Sequence, residues 1–238
     1  MGNRKFFLVL ALLFVALVTV NAQNVKNKPV NDLDPETLEQ ISISVRQEVQ
    51  LFTSYLSSIV KKKNARNRSE RETIMRNREL LKKEALNLFV GKGDKYDVVI
   101  YDNNNNPIDT VHHHAVIMQT MTVRNPTPKD TAMVKYLSYK VYQANRGMIT
   151  GVSLQISSYD WHQMTVSEPM KIGDGSYVMD VFYVQNFRMI NGDNIILPGG
   201  DRTTKRVTCY IYVSDTDRGK QFIIRLGDIK AEEIERWN

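Results

Sequence analysis

His112, His113 and His114 bring three of the chain's four histidines into one run. On a β-strand the first and third of such a run point to the same face, so His112 and His114 can share a metal ion. Zinc needs a further protein ligand, and His162, Asp160 and Asp109 are the candidates the sequence offers. A solvated strand end explains the same three residues, and nothing announces the outer carboxylates or carbonyls that orient a metal-bound imidazole, so no metal and no other cofactor is assigned. The second group is Tyr159-Asp160-Trp161-His162, in a stretch that reads as a loop. Aromatic side chains in a loop have less packing reason to exist than those on a strand, so Tyr159, Trp161 and His162 are expected to form a recognition surface. The competing reading is that Tyr and Trp simply pin the loop to the domain.

Other chemistry is excluded by pattern. Gly91-Lys92-Gly93-Asp94 has the composition of a phosphate loop. A phosphate loop, however, follows a strand and opens a helix, and here the order is reversed, so these glycines read as a helix end and turn. No serine nucleophile elbow and no cysteine–histidine pair is present, and Asp174, Asp180 and Asp201 are scattered rather than paired. No catalytic residue is assigned. The single cysteine, Cys209, lies on an alternating stretch and reads as a small buried apolar residue; no internal disulfide can form. Lys61, Lys62, Lys63, Arg66 and Arg68 make a basic run without interleaved aromatics, which excludes nucleic acid and leaves a solvated connector or weak contact with an anionic membrane surface.

The first 22 residues read as a secretory signal: Arg4 and Lys5, an apolar run from Phe6 to Val20, then Val20-Asn21-Ala22. Cleavage is expected after Ala22, which places the product in the periplasm or outside the cell. The signal takes two of the 32 basic residues and none of the 26 acidic ones, so the net charge falls from +6 to +4. Residues 23–33 read as a flexible leader, and 34–238 as one domain.

Asp34-Pro35-Glu36 is a helix start, and Leu38, Ile41, Val45, Val49, Phe52, Leu56 and Ile59 form an apolar stripe to about Val60. Ser69 and Glu72 read as a capping box for a second helix that ends at Gly91 and Gly93. From Tyr96 the pattern becomes that of strands: Val98 to Tyr101, a turn at Asn103 to Pro107, then a long strand from Val111 to Val123 broken by Asn125, Pro126 and Pro128. Thr131 to Leu137 leans to helix. Tyr139 to Gln143, Val152 to Ser157, Tyr177 to Arg188, Arg206 to Val213 and Phe222 to Leu226 complete about seven strands, with a hairpin turn at Asp217-Arg218-Gly219 and a closing helix from Ile229 to Trp237. The aromatic set of Tyr136, Tyr139, Tyr142, Tyr159, Trp161, Tyr177, Phe182, Tyr183 and Phe187 reads mostly as core. Helices first and strands after argue for an α+β domain.

The stretches Glu84 to Gly93, Tyr177 to Phe187, Thr204 to Val207 and Leu226 to Ile229 resemble secreted or periplasmic proteins of unknown function from gut-dwelling Gram-negative bacteria. The order of elements resembles the nuclear transport factor 2-like cone. That resemblance implies two N-terminal helices packed on a strongly curved antiparallel sheet, with a concave pocket for a small molecule or a segment of an envelope protein. It does not choose a function, because such a fold hosts enzymes and binders alike. The expectation is a non-enzymatic binding or interaction domain of the cell envelope, against two alternatives: an envelope hydrolase or isomerase using pocket residues, with or without zinc at His112 and His114, and a structural component of an envelope assembly.

Overall fold

Asp34 starts the first helix as its spacing predicts: its carboxylate accepts from Thr37 N at 2.8 Å and from Thr37 Oγ1 at 2.7 Å. Lys220 reaches the same carboxylate at 2.8 Å, and these bonds hold the Asp34 carboxyl well below the usual carboxylate range. Helix α1 runs Pro35–Val60 and buries Ile41, Val45, Val49, Phe52, Leu56 and Ile59, the predicted stripe. The structure, a computed structural model, describes residues 33–101, 107–151, 153–158, 163–173, 175–191, 197, 199–216 and 219–237. The expected signal and all but the last residue of the leader lie outside these. Among the described residues no helix is long and apolar enough to cross a membrane.

Helix α2 is Arg68–Asn87, and its cap is Asn67 rather than Ser69. Asn67 accepts from Glu70 N at 2.9 Å while Glu70 reaches back to Arg66 N at 2.8 Å, so a reciprocal cap forms two residues earlier than the expected one. Glu72 is engaged instead by Arg68 at 2.9 Å. The helix is followed by a tight turn, Val90–Gly93, in which Gly91, Lys92 and Gly93 all have positive φ. Glycine is required at 91, where a Cβ would fall 2.2 Å from the Tyr96 ring.

Arg78 locks the two helices to a third. It is 2 % exposed, and donates to Lys61 O at the end of α1 (3.0 Å) and to Asn145 Oδ1 of helix α3, Met133–Thr150 (2.9 Å). Arg78→Ala removes both bonds and leaves a carbonyl and an amide unpaired, so a loss of about 3 kcal/mol is expected. Urea unfolding of parent and variant measures it; a loss within ~0.5 kcal/mol, the usual size for a surface change, would show that the bonds are replaced by water.

The strands form two sheets. β1 (Tyr96–Tyr101) and β2 (Pro107–His113) make an antiparallel pair, Tyr96 facing His113 and Tyr101 facing Pro107. The larger sheet has the order β4-β3-β10-β9-β8-β5. Its members are β3 (Ile117–Thr122), β4 (Asn125–Ala132), β5 (Ser153–Ser158), β8 (Ser176–Ile190), β9 (Gly200–Thr216) and β10 (Gly219–Trp237). The short β6 (Thr165–Val166) and β7 (Met170–Gly173) also pair with β8, so β7, β6 and β5 follow one another along a single edge of that strand.

Five expectations are corrected. The strand expected from Val111 to Val123 divides between the two sheets, because Ile117 N is held by Asp228 Oδ1 at 2.8 Å and Val116 O accepts from Met133 N at 2.7 Å. Asn125, Pro126 and Pro128 do not merely break a strand; they form β4, an outer strand, where a proline's missing N–H costs no ladder bond. Tyr139 to Gln143 is helical, inside α3, whose buried Met133, Tyr136, Leu137, Val141 and Ala144 recur at three and four residues. Gly151, at φ 71°, closes that helix by donating to Gly147 O at 2.9 Å. Ile229 to Trp237 is strand rather than helix, because β9 is long enough to pair with it down to Trp237 facing Gly200. Finally the sheet is mixed: β10 meets β3 in parallel, at Ile229 and Met118. The α+β class holds.

Of the expected turns, residues 103–106 and 217–218 lie outside the described residues, whereas Pro107 opens β2 and Gly219 opens β10, paired with Thr216. One buried cluster joins the α1 stripe, Phe89, Leu137 and Val141 to Met179, Val181, Val207, Ile211, Leu226 and Ile229 of the sheet. Cys209 is in it, at zero exposure, and burial pushes its thiol well above the ordinary range.

Candidate functional site

β8 and β9 pair without a register shift from Ser176 facing Tyr212 to Phe187 facing Asp201. Strict alternation therefore sets Tyr183 opposite Lys205 and Gln185 opposite Thr203 on the buried face. Lys205 and Thr203 are 1 % exposed, Tyr183 is buried and Gln185 is fully enclosed. The neighbours in the same ladder, Val181, Val207 and Cys209, are what such positions normally carry. A polar patch thus interrupts an apolar face.

Two other elements complete the patch. Gln119 of β3 accepts the Lys205 ammonium on its backbone carbonyl, and its side chain accepts from Ala231 N at 3.2 Å. From α3, Lys140 brings its nitrogen 5.2 Å from the Tyr136 ring centre and 5.8 Å from that of Phe187. Lys140 donates to Gln143 Oε1 at 3.4 Å and keeps partial contact with solvent.

Burial pushes the Lys205 amine down to about 7, helped by the charge of Lys140, and burial alone pushes Lys140 down to about 8. Burial raises the Tyr136 and Tyr183 phenols far above their ordinary value, Tyr136 adding to the effect on Tyr183. Among the described residues neither lysine has a carboxylate partner. Tyr183 Oη, Gln185 Oε1 and Nε2, and Thr203 Oγ1 have no hydrogen-bond partner there either. Buried polar atoms are normally satisfied, each unmet one costing about 1–3 kcal/mol, so a concentration of them beside two uncompensated amines marks a place built to meet something else.

No family model, curated protein or solved structure matches the chain. The functional reading therefore stands on this geometry and on the sequence.

Tyr159, Asp160, Trp161 and His162 are outside the described residues, between the end of β5 and Met164, whose carbonyl accepts from Arg46 Nε at 3.0 Å. His112 faces Asp97 across the β1–β2 pair at 2.8 Å and is largely exposed. His113 stacks on Tyr96 with ring centres 4.5 Å apart. His114 follows the end of β2 and lies 3.8 Å from Asp228. The expected shared face of His112 and His114 is thus interrupted by the end of the strand, and the two imidazoles engage carboxylates on different sheets. Among the described residues no three His, Cys, Asp or Glu side chains gather around one point. Gly91-Lys92-Gly93 is the turn after α2, as its context predicts. In the basic run, Arg68 is paired with Glu72 and Lys62 donates to Asn191 O at 3.4 Å. Two of the aromatics read as core, Tyr139 and Tyr142, are 55 % and 58 % exposed on the outer side of α3, with rings 6.5 Å apart.

Sequence reasoning missed Lys140, Tyr183, Gln185, Thr203 and Lys205 as a site. A signal was present: Thr203 and Lys205 share the parity of Val207, Cys209 and Ile211. Beginning the strand at Arg206 hid it.

Proposed function

We propose that this chain is an exported, non-enzymatic binding domain of the cell envelope, with the nuclear transport factor 2-like cone as its architecture and the polar patch beneath α3 as its ligand site. The observation that carries the reading is the enclosure of Tyr183, Gln185 and Thr203 with unmet hydrogen-bonding atoms next to Lys205. A domain that needed only stability would do better with apolar residues there. Support for the cone comes from the two helices α1 and α2 that precede the sheet, from the α1 stripe in one cluster with β8, β9 and β10, and from irregularities at Leu226/Ile229 and Ala231/Glu233 of β10, the kind of bulge that bends a strand. Support for export comes from Arg4, Lys5 and the apolar run before Ala22.

Fractionation with N-terminal sequencing, followed by native mass spectrometry of the recovered protein, tests both halves. The expected result is a chain beginning at Gln23 in the envelope fraction or medium, carrying a bound small molecule. An intact chain beginning at Met1 in the cytosol would overturn export. A homogeneous unliganded mass, unchanged on incubation with envelope extract, would overturn binding.

A further inference from the structure

The ligand's chemical class follows from the same patch, and the inference rests on the binding function proposed above. We propose that the site beneath α3 receives an anionic oxygen group, a carboxylate or a phosphate, between the amines of Lys140 and Lys205, while Tyr183, Gln185 and Thr203 hydrogen-bond the ligand around that group.

Charge is the first argument. Three other cations of the sheet are answered by acids: Arg206 by Asp180 at 3.2 Å and Glu232 at 2.6 Å, Arg202 by Glu235 at 3.2 Å, Lys220 by Asp34 at 2.8 Å. Beneath α3 the Lys140 amine lies 5.8 Å from the Phe187 ring, which shares a face of β8 with Tyr183, the residue opposite Lys205, and no acid of the described residues is paired with either amine. The carboxylate on the same face of β9, Asp201, is four residues from Lys205 and accepts from Val123 N at 3.3 Å. Two cations that repel each other in a desolvated setting are both favoured by one anion placed between them.

Hydrogen-bond polarity is the second. Tyr183 Oη, Thr203 Oγ1 and Gln185 Nε2 can each donate, and so can both ammonium groups; the one unmet atom confined to accepting is Gln185 Oε1. A neutral polyol could be met by the same hydroxyls and amide, since each can also accept, but it would leave both ammonium groups without a countercharge. An oxyanion presents acceptors only. The rings of Tyr136 and Phe187, which flank Lys140, add apolar walls suited to a carbon skeleton attached to the anionic group. Because Lys140 is partly exposed while Lys205 is enclosed, the anion is expected to enter past α3 and settle against β9.

Benzoate, inorganic phosphate and benzamide, titrated calorimetrically into the processed protein at a pH of about 6.5, where both amines carry protons, test this. At least one of the two anions is expected to bind, and benzamide, the neutral counterpart of benzoate, to bind at least about tenfold more weakly. Benzoate against phosphate tells which group the site prefers. Lys205→Met and Lys140→Met should each weaken the anion by about tenfold or more, whereas Lys63→Met, at an exposed position of the α1–α2 connector, should not. Lys140→Met, at a partly exposed helix position, keeps the test decisive if Lys205→Met does not fold. Three outcomes overturn the inference: neither anion binds, benzamide binds as tightly as the anion that does, or Lys63→Met loses as much as Lys205→Met and Lys140→Met. Benzamide matching benzoate would reject the anion yet leave a binding domain; no probe binding, together with an unliganded native mass, would remove both.

Discussion

Lys205→Met is expected to make the ligand-free protein more stable near pH 7, and to remove most of the rise in stability that the parent should show on going to pH 9. In the folded chain the Lys205 amine is pushed down to about 7 from its ordinary 10.5. Between those values the unfolded chain holds a proton that the folded chain does not, so unfolding free energy climbs with pH through the window and falls as pH returns toward 7. Below 7 both states are protonated and the cost of the enclosed charge is felt in full. At 1.36 kcal/mol per unit of pH, the contribution from about pH 7 to 9 is on the order of 2 kcal/mol. Lys140, pushed down to about 8, adds a smaller slope of the same sign that the variant retains. Tyr136 and Tyr183 act in the opposite direction only above their ordinary value of 10, so the measurement stays below it. Methionine fills nearly the same volume without a charge to desolvate. Urea unfolding of parent and variant across this range provides the comparison. A variant less stable than its parent at neutral pH would mean that the bond to Gln119 O outweighs the desolvation, and the patch would then be structural.

The largest loss of stability is expected from Phe52→Ala, about 4 kcal/mol. Phe52 has no exposed surface, and its ring meets that of Phe89 edge to face with centres 5.0 Å apart. Phe89 in turn forms a parallel bridge with Leu226, and Leu226 N donates to Leu88 O at 2.9 Å. One ring therefore fixes α1 to the end of α2 and both to β10. Truncation opens a cavity at a junction of three elements, where no single neighbour can move in without unpairing from another. Phe52→Leu should cost less than half as much, because most of the volume is kept. A fall in the urea midpoint at unchanged slope is the expected reading; a changed slope would mean that the native fold has loosened instead.

The candidate site was only partly legible before the fold was known. Its aromatic members, Tyr136, Tyr183 and Phe187, stood out by type, but three others, Lys205, Thr203 and Gln185, are unremarkable polar residues until their neighbours are known. His112, His113 and His114 stood out for the opposite reason, since a rare residue type attracts notice wherever it lies. His112 then proves to be an exposed partner of Asp97. Chemistry at this site depends on burial, and burial is a property of what lies above and beside a residue rather than of the residue itself.

Helix α1 was determined by the sequence alone, from Asp34 to Val60, because a cap bond from Thr37 to Asp34 and an apolar recurrence at three and four residues are interactions of the chain with its near neighbours. The tight turn at Gly91 and Gly93 was local in the same way. The strands were a different matter, since their bonds close on segments far away in the chain. Only β9, long enough to reach Trp237, made Ile229–Trp237 a strand; only Asp228 and Met133 cut the run after His113. Only the pairing of β8 with β9 and the reach of Lys140 from α3 to Phe187 made one ordinary lysine an enclosed amine and set a second, partly exposed one on the same patch, neither with a carboxylate partner among the described residues. A helix satisfies its backbone within itself and can be read along the chain, whereas a strand, and any site on its inner face, acquires its meaning from partners that the fold alone selects.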